Sequence, residues 1–132
     1  MSNALTKAMK SADGSLMLLQ VLAENSFDSV LVTDATPQVK ILYANKAFMK
    51  LTGHKPASVI GKSPRILQGP GTDKKVIAKL SDALREGKKF EGKAINYKKD
   101  GTPFIIYWRV VPIKTGKKIT AWVAIQRQGS MI

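Results

Sequence analysis

The chain of 132 residues contains no cysteine. Disulfides, thiolate nucleophiles and cysteine-bound metals are thereby excluded. Histidine occurs once, as His54, and nine acids stand against 22 lysines and arginines, a formal net charge of +13. Asp28, Asp34 and Asp100 show neither metal-ligand nor paired-acid spacing, so no enzyme site is visible. No apolar run approaches the ~20 residues that a bilayer span requires. The stretch SLMLLQVLA at 15–23 is interrupted by Gln20 and is followed by no A-x-A cleavage site, which points to a cytoplasmic protein without a membrane partner.

What is present suits one soluble globular domain. Hydrophobic residues make up 44% of the chain and charged ones 23%, a composition that buries one core and argues against disorder. The lysines come in pairs (Lys74 and Lys75, Lys88 and Lys89, Lys98 and Lys99, Lys117 and Lys118) beside expected turns and helix ends. With no helix-turn-helix, zinc-finger or RNA-binding signature beside them, they read as a solvated surface, and a nucleic-acid partner is not expected. A basic nucleic-acid-binding domain stays as an alternative resting on charge alone.

Periodicity divides the chain into a tail over 1–14, an amphipathic helix over 15–25 with Ser15 as its cap, a domain over 26–128 and a short tail over 129–132. SVLVTD at 29–34 and KILYA at 40–44 read as a hairpin across the turn-forming ATPQ. Ala47, Phe48 and Leu51 space a short helix that stops at Gly53, and Pro56 to Ile60 supplies another turn or two before Gly61. The clearest helix is Asp73 to Glu86, capped by Asp73, with Val76, Ile77, Leu80, Ala83 and Leu84 on one face and Gly87 at its end. Three strands follow, near 90–98, 103–114 and 119–127, joined by KKDGTP and KTGKK. Five antiparallel strands with helices inserted after the second make an α+β unit with the helices on one face of a sheet.

Ser63-Pro64 is a good start for a short helix, because serine caps and proline has no N–H to leave unpaired at the first position. Taken singly, Gln68, Asn96 and Gln126 read as ordinary polar residues satisfied by backbone at a turn or on a strand face. Strand alternation puts Tyr107 and Trp108 on opposite faces, which leaves open whether Trp108 and Trp122 pack in the core or on an exposed sheet face. His54 reads as an exposed turn residue.

Four segments carry a resemblance: YANKAFMKLTG (43–53), GKSPRILQGPGTD (61–73), INYKKDGTPF (95–104) and AWVAIQ (121–126). In order and spacing they resemble a PAS domain, and within that superfamily a light-oxygen-voltage (LOV) photosensor. The resemblance implies a PAS fold and, in LOV members, flavin mononucleotide (FMN) between the long helix and the sheet, with a cysteine that adds to the flavin in blue light. That cysteine falls on Pro64, which has neither a nucleophile nor an acidic proton, so adduct chemistry is not expected. Carried over by motif, Arg65 would meet the flavin phosphate, Gln68 and Asn96 the polar edge of the ring, and Gln126 its reactive nitrogen and oxygen. Ser63, Ser81 and Ile106 replace three further polar contacts of the family, while Lys74 lies on the same helical face as Ser81. The resemblance places no axial haem histidine on the long helix, so His54 is not expected to hold haem.

The expected function is therefore a PAS-type sensory or protein-interaction module that passes its signal to a homodimer partner or effector domain through the sheet face and the N-terminal helix. The alternative is an FMN-binding redox or light sensor that works without an adduct.

Overall fold

The computed structural model describes residues 12–130; the tail expected at 1–14 lies mostly outside them, as do the last two residues of the C-terminal tail. Helix α1 spans Ala12–Glu24, so Ser15 stands inside it and not at its cap. Strands β1 (Ser29–Asp34) and β2 (Ile41–Ala44) form the expected antiparallel hairpin. Helices α2 (Lys46–Thr52) and α3 (Pro56–Val59), a 3-10 turn (Pro64–Leu67) and helix α4 (Lys74–Glu86) follow. Strands β3 (Phe90–Tyr97), β4 (Pro103–Thr115) and β5 (Lys118–Gln128) complete an antiparallel sheet of order β2-β1-β5-β4-β3. The N-terminal hairpin thus joins the C-terminal meander along β1 and β5, an α+β architecture.

Local chemistry sets the helix ends. The Asn45 side chain caps α2 by accepting from the Phe48 N–H, and Gly53 closes that helix at φ 79°, a left-handed conformation that suits glycine. Asp73 caps α4 through the Lys75 N–H at 2.8 Å.

The fully buried cluster of Leu31, Ile41, Ala44, Phe48, Val59 and Leu67 lies under α2, α3 and the 3-10 turn. Helix α4 is different, because none of its residues is fully buried although its apolar face is continuous. It rests over the β3–β5 half of the sheet through half-buried side chains including Val76, Leu80 and Leu84.

Asn45 joins the parts. It is completely buried. Its Oδ1 accepts from the Val30 N–H at 2.9 Å and the Phe48 N–H at 3.1 Å, while Nδ2 donates to the carbonyls of Ala23 at 2.7 Å and Asp28 at 3.0 Å. One carboxamide therefore fixes α1, the entry to β1 and the start of α2 against one another. Nearby, the Tyr43 hydroxyl donates to the Glu24 carboxylate. Burial and that bond push the phenol well above its ordinary pKa.

Asn45→Ala would strand several of these backbone groups without partners. At about 1–3 kcal/mol for each buried group left unpaired, a loss of at least ~3 kcal/mol is expected. Chemical denaturation would read it as a lower midpoint with an unchanged slope.

Candidate functional site

The segment GKSPRILQGPGTD is built into the fold by its own polar atoms. Ser63 Oγ accepts from the Arg65 N–H at 3.2 Å, and Pro64 occupies the first position of the 3-10 turn. Beyond the turn the chain is clamped to the edge strand β3. Thr72 Oγ1 accepts from the Gly69 N–H at 3.0 Å and donates to the Ile95 carbonyl at 2.6 Å, and the Tyr97 hydroxyl accepts from the Gly71 N–H at 2.7 Å. A Cβ at Gly69 would lie 2.4 Å from the Tyr97 ring, so the loop packs where only glycine fits.

Between α4 and the sheet lies a small chamber. Its floor follows from strand register: Ser29, Gln126, Trp108 and Gly92 form one row across the inner face, Leu31, Ala124, Val110 and Phe90 the next, and Thr33, Trp122 and Pro112 a third. Gly92 matters here, since the Phe90 ring lies over it and meets the Trp108 indole with centroids 5.2 Å apart. Leu80 and Leu84 of α4 form the roof, and Pro64 and Val39 form a wall. Val39 has φ 50°, an unfavourable conformation for a β-branched residue.

The structure thus brings two residues of the motif reading, Pro64 and Gln126, to this chamber. Gln126 is 4% exposed, and its Oε1 accepts from Ser29 Oγ at 3.0 Å. Asn96 is buried on the inner sheet face, in register with Phe104 and two rows beyond Gln126, and it does not line the chamber. Gln68 is half-buried at the end of the 3-10 turn, its N–H donating to the Arg65 carbonyl, and Arg65 is exposed. Ile106 is buried beside Asn96 on the same face, and Ser81 is exposed on α4.

Sequence reading did not single out Trp108 and Trp122 as chamber residues. The signal was there: both are an even number of residues from Gln126 or Ile106 on their own strands, so alternation turns them to the same face. Trp122 is 5% exposed. Tyr107 is the aromatic that faces outward.

These side chains decide whether a flavin fits. The chamber holds about 70 Å³, room for roughly two waters at ~30 Å³ each and well below the ~300 Å³ at which small-molecule pockets begin. Polar groups of the right kind are present in Gln126 and Asn96, but two indoles, Pro64 and Val39 fill the space. As folded, the chamber does not fit a flavin ring.

His54 follows α2, half-buried, with its ring 6.4 Å from that of Phe48, and takes no part in the chamber. Burial lowers its pKa from the ordinary 6.5, and the charges of Lys99 and Lys62 add to the shift. No group of three or more potential metal ligands occurs among the described residues. No described helix is long and apolar enough to cross a membrane.

Comparison with known proteins agrees with the fold. Residues 28–127 match the family described as PAS domain. Phototropin-2 of Oryza sativa subsp. japonica is 41% identical over 98 residues, covering 73% of this chain and 11% of that protein. The chain therefore spans about a tenth of that relative's length. A solved light-oxygen-voltage domain studied with a flavin analogue superposes with a TM-score of 0.77 at 26% identity, over 94% of this chain and 89% of that one. The LOV domain from the Erythrobacter litoralis EL346 blue-light activated histidine kinase gives a TM-score of 0.73 at 30% identity, over 76% of this chain and 94% of that one.

Three outcomes follow from the packing. Gly69→Ala should destabilise the fold by about 1–3 kcal/mol, since the Tyr97 ring must move and its bond to Gly71 is strained, as thermal denaturation would measure. Trp108 is half-buried, so Trp108→Ala should open a void at a cost of about 2–3 kcal/mol, below that of a fully buried indole. Free indole should then raise the melting temperature of the variant and leave wild type unchanged. For His54, the fold favours the neutral ring, so its contribution is complete above pH 6.5 and is lost as pH falls through the depressed folded value. His54→Gln should flatten that part of the stability profile.

Proposed function

The chain belongs to the PAS domain family and has the light-oxygen-voltage fold, and from that premise we propose that it is a sensory and protein-interaction module unable to form a flavin–cysteine adduct. The observation that carries this reading is Pro64 in the chamber wall, facing the space that Trp108 and Trp122 occupy. Proline supplies no thiol, and the chain has no cysteine elsewhere to take its place. Ser63 and Pro64 keep the local turn, so loss of the nucleophile leaves the fold intact.

The flavin-sensor alternative rests on Gln126, whose carboxamide is the right group to report protonation of a flavin ring. It finds less support in the chamber's volume. Arg65, Gln68 and Asn96 remain the other residues through which FMN would be held after the chamber opened.

Output would leave through the outer sheet face and α1. That face carries a concavity of about 760 Å³ bounded by Asp28, Glu91, Lys93, Tyr107, Arg109 and Arg127, with Ile125 on its floor. The ion pairs Arg109–Glu91 and Arg127–Asp28 flank it at 2.7 Å each. Helix α1 exposes Met17, Leu19, Val21 and Leu22, and Phe27 follows fully exposed. An apolar centre with a charged rim is the anatomy of a protein interface, and we assign it to a second copy or an effector domain.

Two measurements test this reading. Protein expressed with excess riboflavin should purify colourless, and illumination should leave its absorption spectrum unchanged; a flavin band that bleaches in light and recovers in the dark would sink the proposal. Pro64→Cys alone should not create that band. Ile125→Asp should weaken self-association about tenfold, the effect of ~1.4 kcal/mol at an interface centre, as sedimentation would report.

A further inference from the structure

The lysines that look dispersed in sequence converge at one end of the sheet. Strand β1 ends at Asp34, which pairs with Ala121 of β5, and Ala121 pairs with Ile113 of β4. The β4–β5 hairpin, with Thr115 opposite Lys118, therefore projects from the same end at which β2 begins at Ile41 and β3 begins at Phe90. Lys40 and Lys62 flank Ile41, whose N–H donates to the Lys62 carbonyl at 2.8 Å. Lys88 and Lys89 lead into β3, and Gly87 just before them abuts Ile119 of β5. Lys114, Lys117 and Lys118 form the hairpin tip. All seven are exposed.

Among the described residues the acids near this end are Asp34, Asp82 and Glu86, and all are already engaged, Asp82 by Arg85. Asp34 accepts from the Thr36 hydroxyl at 2.8 Å and from the Lys40 N–H at 3.0 Å, and Glu86 pairs with Lys88 at 3.3 Å. With strands ~4.8 Å apart, a five-stranded edge is roughly 20 Å wide. The lysines along it are spaced on the order of the Debye length, ~8 Å at physiological salt, so their fields partly add.

We propose that this lysine-rich sheet end is a docking surface for the phosphate backbone of duplex nucleic acid, read without regard to sequence. The chemistry of the patch selects that partner. Its cations are ammonium groups apart from Arg85 in the last turn of α4, which is paired with Asp82, so it offers point charges to phosphates more than planar forks for base edges. Its aromatic neighbours, Phe90 and Trp122, are half-buried and buried, which leaves no platform for the unpaired bases of a single strand. A duplex presents phosphates on its outside across a width comparable to the sheet edge.

The test is fluorescence anisotropy of a short labelled RNA duplex of arbitrary sequence with the full chain, over a range of salt concentrations. Four neutralised phosphates predict a log–log salt slope of about −3.6. Lys88→Glu, Lys117→Glu and Lys118→Glu together should weaken binding at least tenfold and flatten the slope, with the melting temperature close to that of wild type. Lys46→Glu, Lys50→Glu and Lys99→Glu, on α2 and in the β3–β4 turn at the opposite end of the sheet, make the same change of net charge away from this end and should leave binding within about twofold. Equal losses in the two triple variants would reduce the effect to net charge and overturn the proposal. So would absence of duplex binding, binding insensitive to salt, or capture by phosphatidylserine vesicles in place of duplex.

Discussion

The Asn45 carboxamide is the constraint on which the arrangement of this domain depends. A buried amide with two donors and two acceptor sites is tolerable only when its neighbours converge on it. Here they come from three segments distant in sequence: the end of α1, the start of β1 and the first turn of α2. Any displacement of α1 relative to the sheet must break at least the bond to Ala23. The helix that exposes Met17, Leu19, Val21 and Leu22 is thereby tied to the same group that orients the inner face of β1. From Ser29 on that strand, the hydrogen bond to Gln126 continues the connection to the chamber floor.

The chamber is a consequence of strand register. Gly92 leaves a gap in its row that Phe90 and Trp108 fill, and Trp122 supports the next part of the same face. Helix α4 then closes over large aromatic side chains and contributes only half-buried residues. Pro64 completes the wall without removing any backbone hydrogen bond, because the first residue of a helical turn has no partner for its N–H. The segment that most resembles a photochemical site in LOV proteins is in this chain a clamp between the 3-10 turn and β3, maintained by Thr72, Tyr97 and two glycines.

Much of the fold was legible because its signals are local. Asp73 and Gly87 bound α4, Ser63 and Pro64 start the 3-10 turn, and alternation marks the strands, all through contacts a few residues apart. The helix α1 was less legible: Ser15, expected at its cap, stands inside it. For the candidate site, the inward direction of Gln126 was legible because strand parity fixes it, and the structure puts that side chain on the chamber floor. Arg65, Gln68 and Asn96 do not line the chamber, and that was not legible because the distance between an edge strand, a 3-10 turn and a strand centre is a property of packing.

By itself, then, the sequence determined the order of the elements, their caps, the absence of any thiol and the total charge, each of which is counted along the chain or decided within one turn. Only the tertiary structure decided which side of the sheet receives the two indoles, how little volume they leave, and that lysines from four separate segments meet at one edge. The physical reason is register. Hydrogen bonds between strands remote in sequence choose which residues share a row, and charge density and cavity volume follow from that choice.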